Sequence, residues 1–123
     1  MKPETQALGR LKRGVQNKTE TAYARVLELR RMDGQIAWFA FEGITFKLAD
    51  DTRYTPDFAV MNADGTMEMH EVKGSLDYIQ DDAKVKIKVA NDMFPFRFFL
   101  VAPITKKRGG GWQTKEIGNV RHA

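Results

Sequence analysis

A stretch near the middle of the chain, residues 53–74, most constrains the fold, because it reads as two apolar strands joined by a tight turn. β-Branched and aromatic residues flank the turn sequence NADG at 62–65. We predict a three-residue loop in which Gly65 takes the left-handed conformation that such loops need. The register of that loop sets Asp57 directly opposite Glu71 on the neighbouring strand.

Three charged side chains are predicted to share one face of this hairpin. Glu71 and Lys73 are two residues apart and therefore point the same way, and Asp57 joins them from across the ladder. Like charges that lie opposite each other in a sheet repel. Mg²⁺, which is bound by one or two carboxylates together with water and phosphate oxygens, would gather them. The alternative is a solvated edge hairpin in which Lys73 merely pairs with a carboxylate.

Apolar residues on both faces of these strands argue against a solvated edge, because such strands are usually covered on both sides. One face carries Phe58, Val60 and Val72, and the other carries Ala59, Met61, Met67 and Met69. His70 faces away from Glu71 if the alternation holds. We therefore expect a covered or hydrogen-bonded histidine there rather than a catalytic one.

The pair Pro56-Asp57 followed by Glu71-Val72-Lys73 resembles the PD-(D/E)XK signature of a large nuclease superfamily. The hairpin, the lysine-bearing helix after it and the apolar strand that follows are also similar. The similarity is greatest to small phage endonucleases, including the junction-resolving endonuclease I type, which are Holliday junction resolvases.

The resemblance covers about residues 17–102 and implies a restriction-endonuclease-like α/β core. That core has a mixed four- to five-stranded sheet flanked by helices. The implied activity is Mg²⁺-dependent cleavage of DNA, with Mn²⁺ able to substitute. Asp57 and Glu71 would hold the metal together with the main-chain carbonyl of Val72, and Lys73 would act on the attacking water or stabilise the developing charge.

Glu20 lies near the start of the first predicted helix, which spans residues 19–32 and ends before Gly34. In the resembling nucleases a glutamate at this position often reaches the metal site. The alternative is local, since Asn17-x-x-Glu20 is a variant of the capping box. The sequence leaves both roles open.

Apolar, aromatic-rich segments predict strands over residues 36–41, 44–49 and 96–102, and a second helix is predicted over residues 77–93. On that helix Lys84 and Lys88 fall on the polar side, whereas Lys86 falls inside the apolar arc. Lys86 would either reach the acidic cluster or extend along its stem to water.

The implied partner is DNA, and seven basic side chains are candidates for contacting its phosphates. They are Arg53, Lys84, Lys86, Lys88, Lys106, Lys107 and Arg108. For Arg53 an ordinary surface position is an equal alternative. For the segment after residue 105, which also contains Trp112, the alternative is a glycine-rich turn into a short edge strand.

Charge divides the chain into three parts. Residues 1–18 carry five Lys or Arg and one Glu, as do residues 106–123, so each end has a net charge of +4. The whole chain is also +4, which leaves −4 for the middle. We predict a flexible basic arm over 1–18, a nuclease domain over 19–105 and a basic glycine-rich tail over 106–123.

Length and composition limit the other possibilities. A chain of 123 residues with 42% hydrophobic content suits one globular domain. No cysteine is present, which excludes disulfides and thiolate chemistry, and no apolar run approaches the roughly 20 residues of a membrane span. We expect a cytoplasmic protein of a bacterial or phage-infected cell.

Two further questions stay open at this point. A junction resolvase would act as a homodimer, because two symmetric cuts need two sites. The rival function is a non-catalytic module that kept the nuclease fold to bind nucleic acid or protein.

Overall fold

The computed structural model describes residues 14–118, which form two α-helices, seven strands and a short 3₁₀ helix. The helices are α1 (Lys18–Met32) and α2 (Asp81–Met93). The strands are β1 (Ile36–Phe41), β2 (Phe46–Ala49), β3 (Thr52–Tyr54), β4 (Phe58–Asn62), β5 (Met67–Val72), β6 (Arg97–Pro103) and β7 (Trp112–Glu116). The 3₁₀ helix spans Lys106–Arg108.

Five strands form a mixed sheet in the order β1-β4-β5-β6-β7, which confirms the predicted α/β class. β5 and β6 run parallel, and the other three pairs run antiparallel. The helix α2 makes the crossover that a parallel pair requires. The strands β2 and β3 form a separate two-stranded sheet.

The central hairpin has the predicted register. The Asn62 N–H donates to the Thr66 carbonyl at 2.8 Å, and Gly65 has a φ of 90°. Phe58 pairs with His70, so the next step places Asp57 opposite Glu71. Local turn chemistry is therefore sufficient to align the two acidic positions.

Both faces of the sheet are covered, as the apolar pattern predicts. On one face, α1 contributes Tyr23 and Leu27 to a core that includes Phe58, Val60 and Val72. On the other face, α2 contributes its own apolar side chains to a second core, whose buried members are Phe46, Tyr54, Ala59, Met69, Ile87, Ala90, Phe98, Leu100 and Ile117. Apolar surface is buried on both sides of the hairpin, and each Å² removed from water contributes about 25 cal/mol. This burial holds the hairpin between the two helices.

Several predicted boundaries are corrected. The helix α2 begins at Asp81 rather than 77, and its N-cap Gln80 makes no side-chain capping bond that the sequence could have signalled. β2 begins at Phe46 rather than 44, and β6 spans Arg97–Pro103 rather than 96–102. Trp38 lies on the edge strand β1 and is 40% exposed.

The segment after residue 105 follows the edge-strand alternative as far as the structure describes it. β7 pairs with β6 in antiparallel register, from Phe99 opposite Glu116 to Pro103 opposite Trp112. The Trp112 ring lies 5.0 Å from the Tyr23 ring and packs with the α1 core. Residues 119–123, like most of the predicted arm over 1–18, lie outside the described residues.

His70 is buried and hydrogen-bonded, as predicted. Its Nε2 lies 2.9 Å from Glu68 Oε1, and its Nδ1 lies 2.7 Å from the Tyr23 hydroxyl. Because a carboxylate only accepts, Nε2 carries the proton toward Glu68, and in the neutral ring Nδ1 then accepts from the Tyr23 hydroxyl. This histidine ties α1 to β5. Within residues 14–118, no helix has the length and apolar character needed to cross a membrane.

We predict that Tyr23→Phe lowers the free energy of unfolding by about 1–3 kcal/mol, because it leaves the buried Nδ1 of His70 without a donor. Urea unfolding measures the change. The matched control is Tyr78→Phe, since Tyr78 is 79% exposed and water can therefore reach its hydroxyl in the folded protein. Equal stabilities for the two variants would show that the Tyr23–His70 bond does not hold α1 in place.

Candidate active site

Asp57 is placed by the link between the two sheets. β3 ends at Tyr54, and the buried Pro56 then leads the chain directly into β4. The Asp57 carboxylate accepts a hydrogen bond from the Val72 N–H at 2.7 Å, and its carbonyl accepts one from the Glu42 N–H at 2.7 Å. These bonds fix Asp57 beside the end of β5.

Glu71 and Lys73 lie on the same side, as the alternation predicts. Lys73 Nζ is 3.2 Å from Glu71 Oε2, and their side chains are 28% and 14% exposed. The Lys73 N–H donates to the Val101 carbonyl at 2.8 Å, which anchors the end of β5 to β6. The structure thus brings together Asp57, Glu71 and Lys73.

Negative charge is only partly balanced at this position. Burial, together with the charges of Glu71 and Glu20, raises the pKa of Asp57 to about 8, against the opposing effect of the Val72 hydrogen bond. A buried carboxylate beside two others is destabilised in its charged form. The site therefore favours either a proton or a cation.

Glu20 combines the two roles that the sequence left open. Its Oε1 accepts from the Asn17 N–H at 2.9 Å, and Asn17 Oδ1 accepts from the Glu20 N–H at 2.8 Å, which completes the capping box. The same side chain lies close enough to Asp57 to raise the pKa of that carboxyl by charge and by a side-chain hydrogen bond. The cap holds Glu20 at the border of the acidic cluster.

Tyr54 is a site residue that the sequence did not identify. It is 7% exposed, and its hydroxyl donates to Glu71 Oε1 at 2.8 Å. Burial and the adjacent Glu71 charge raise the pKa of Tyr54, so the phenol stays a neutral donor. A buried tyrosine generally needs a partner for its hydroxyl, which was the only available signal. Which group accepts from the Tyr54 hydroxyl depends on where β3 lies in the fold.

The acidic oxygen donors that meet beside the end of β5 are the carboxylates of Asp57 and Glu71. Within residues 14–118, no group of three or more His, Cys, Asp or Glu is arranged to hold a metal. The two carboxylates of Asp57 and Glu71 instead match Mg²⁺, which takes one or two carboxylates and keeps waters or phosphate oxygens. His70, the described imidazole, is already bonded at both ring nitrogens.

The candidate phosphate-binding residues are spread over three elements, and all seven are exposed. Lys86 points to solvent and forms no ion pair with another described residue, which agrees with the second of its two alternatives. Lys84 and Lys88 border a cavity of about 270 Å³ together with Lys115 of β7. Sequence reasoning missed Lys115, because only the pairing of β7 with β6 brings it beside α2.

Scans of protein-family models, of curated proteins and of solved structures each found no match to this chain. The geometry of the site is therefore the basis for the functional conclusion.

The raised pKa of Asp57 predicts that, without divalent cations, the free energy of unfolding falls as pH rises. The usual pKa is 3.8 and the folded value about 8, so the folded protein keeps a proton that the unfolded chain has lost between these pH values. The resulting stabilisation is complete below about pH 4 and is lost as pH rises through about 8. Asp57→Asn should flatten this dependence and, since each pKa unit corresponds to about 1.4 kcal/mol, stabilise the protein at pH 8 by at least that amount.

Urea unfolding in EDTA at several pH values tests this expectation. Asp50→Asn is the control, because Asp50 is exposed and pairs only with the exposed Lys47 at 3.3 Å. The control should keep the wild-type pH dependence. An Asp57→Asn variant with an unchanged pH dependence would contradict the charge balance described above.

Proposed function

We propose that this protein is a Mg²⁺-dependent DNA endonuclease of the PD-(D/E)XK type, with a restriction-endonuclease-like core. The observation that carries the proposal is the meeting of Asp57, Glu71 and Lys73 at one end of the hairpin. Asp57 reaches Val72 at 2.7 Å, and Lys73 reaches Glu71 at 3.2 Å. The three charged residues of the motif are thus neighbours in space as well as in pattern.

The topology supports the same proposal. A helix, an antiparallel set that contains the motif hairpin, a crossover helix and a parallel strand follow one another in the order that the resemblance implies. The motif lies at the carboxyl end of β5, beside the parallel strand β6. Ligands of sheets with parallel strands bind outside such ends.

Asp57 and Glu71, with the Val72 carbonyl, would hold the metal, and Mn²⁺ would substitute for Mg²⁺. When bound, the ion would lower the pKa of a water bound to it and would neutralise charge on the phosphate. Tyr54 orients Glu71 through the 2.8 Å hydrogen bond. Glu20 adds to the negative potential that attracts the cation.

Lys73 supplies a positive charge next to the carboxylates. Its side chain is 28% exposed, so the ammonium can meet a phosphate while Glu71 restrains it. In this position it orients the attacking water or stabilises charge that develops on the phosphate. Lys84, Lys86, Lys88 and the basic 3₁₀ segment would contact the DNA backbone, with Arg53 as a further contact.

The rival function is a non-catalytic module that binds nucleic acid or protein. One observation favours it, since both oxygens of Glu71 are already engaged, one by Tyr54 and the other by Lys73. A metal would have to displace or share these contacts. Cleavage assays separate the two functions directly.

We predict that the protein cuts DNA in Mg²⁺ and that Asp57→Asn and Glu71→Gln each abolish cutting, because each removes a carboxylate while keeping the side-chain shape. Labelled four-way junction, flap, single-stranded and duplex DNA are incubated with each variant. Glu28→Gln is the matched control, since Glu28 pairs with Arg31 on the surface of α1 and should leave the rate unchanged. Wild-type rates in Asp57→Asn, or binding of all four DNAs without cleavage by the wild type, would refute the proposal.

For Lys73→Met we expect a loss of rate without an equal loss of affinity. The ammonium acts on the reacting phosphate, whereas both metal carboxylates remain. Removing one such electrostatic donor costs on the order of 10²- to 10³-fold in rate. Single-turnover cleavage in Mg²⁺ is compared with DNA affinity in Ca²⁺.

Lys47→Met is the control for this change, because Lys47 is an exposed lysine paired with an aspartate outside the site. Its rate and affinity should both match the wild type. If Lys73→Met loses as much affinity as rate, Lys73 binds DNA and has no separate catalytic part.

A further inference from the structure

A cavity of about 270 Å³ between α2 and β7 plays no part in the proposed chemistry at Asp57 and Glu71. Part of its lining is apolar. Ile87 of α2 and Leu100 of β6 line it and are buried members of the core under α2, and Ile117, which directly follows β7, is a third. The cavity is therefore bordered by the core itself and offers an apolar surface to a ligand.

Three lysines, Lys84 and Lys88 of α2 and Lys115 of β7, also line this cavity, which we call the lysine cavity. All three are exposed, and none of them forms an ion pair with another described residue. The carboxylate of Glu116, which borders the cavity as well, is bonded to Arg97 by two hydrogen bonds of 2.8 Å. The lysine cavity thus combines an apolar lining with three positive charges.

The size of the lysine cavity limits what it can hold. A volume of about 270 Å³ falls just below the range for small-molecule sites, roughly 300–1,000 Å³. A space of this size accommodates one large apolar side chain. The backbone of a nucleic acid would meet the three lysines, but it has no apolar group to place against Ile87, Leu100 and Ile117.

The placement of the lysines favours a ligand with several carboxylates. Lys84 and Lys88 are one helical turn apart, which separates their Cβ atoms by about 5–6 Å. Lys115 lies on a different element, opposite Leu100 in the β6–β7 pair. One carboxylate cannot contact ammonium groups distributed in this way. Acidic residues on either side of an apolar residue in a peptide can contact all three.

The strand beside the lysine cavity also suits a peptide, because β7 is the last strand of the described sheet. The Ile117 N–H donates to the Phe98 carbonyl at 2.8 Å. Since main-chain groups alternate in direction along an antiparallel pair, the N–H groups of Thr114 and Glu116 point away from β6. An extended peptide can pair with such an edge and direct alternate side chains to one face of the sheet.

We propose that the lysine cavity binds an acidic segment of a partner protein, which inserts one large apolar side chain between α2 and β7. That side chain packs against Ile87, Leu100 and Ile117, and the acidic residues on either side of it pair with the three lysines. Binding of this kind requires neither a metal nor cleavage, so it does not rest on the proposed nuclease function.

The test measures the affinity of a short labelled peptide in which one phenylalanine is flanked on each side by glutamates. The same peptide with serine in place of phenylalanine should bind roughly tenfold or more weakly, because it buries no apolar side chain. Lys115→Glu should weaken binding of the phenylalanine peptide by roughly tenfold, because attraction to its carboxylates becomes repulsion.

Lys107→Glu is the matched control. It makes the same change of charge on the 3₁₀ helix, which does not line the lysine cavity. At about 0.15 M salt, charges farther apart than about 8 Å are largely screened, so this variant should bind the phenylalanine peptide as the wild type does.

Amide NMR spectra locate the bound peptide. The signals of Ile87, Leu100 and Ile117 should shift when the phenylalanine peptide is added and stay in place when the serine peptide is added. Equal affinities for the two peptides, or equal effects of Lys115→Glu and Lys107→Glu, would overturn the proposal. So would a protein that binds neither peptide but binds duplex DNA less tightly after Lys115→Glu, since the lysines would then serve DNA. These outcomes are read without cleavage and are therefore separate from the test of nuclease activity.

Discussion

The hairpin register places two partly buried carboxylates opposite each other, and the candidate site depends on this placement. Asp57 and Glu71 share the end of β4–β5, and burial with mutual charge raises the pKa of Asp57 to about 8. Neighbouring groups stabilise the two carboxylates in part. The Val72 N–H donates to Asp57, and Tyr54 and Lys73 contact Glu71. Lys73 is the single cation among these partners. The charged form of Asp57 therefore lacks sufficient partners, and either a proton or a cation would relieve this.

The two apolar cores are what keep the carboxylates in this position. Phe58 and Val60 pack in the core under α1, whereas Ala59 and Met69 pack in the core under α2. The hairpin therefore buries apolar side chains on both of its faces. A slip of one residue would exchange the two faces and bury the wrong set of side chains. The free energy of apolar burial thus fixes the register, and the register places like charges opposite each other. Stability elsewhere in the sheet offsets a local cost at the site.

How much of this could be predicted depends on how local each cause is. The loop ending at Gly65 and the gathering of Asp57, Glu71 and Lys73 follow from turn chemistry and strand alternation, both of which can be read within about 20 residues. The partner of Tyr54 depends on the separate β2–β3 sheet, which tertiary packing alone determines. The start of α2 was misplaced because Gln80 makes no side-chain cap, so no sequence signal marked it.

Two acidic residues on opposite faces of the hairpin, Glu68 and Asp57, differ in how well the fold balances their charge. Glu68 lies three residues before Glu71 and therefore on the other face, where hydrogen bonds from His70 and Asn62 lower its pKa. Its charge is therefore satisfied within the fold, and it serves to join α1 to the sheet. The pKa of Asp57 is instead raised, which indicates that its charged form lacks sufficient partners. Of these two acidic positions on the hairpin, Asp57 is therefore the one whose charged form a cation from outside the fold would stabilise.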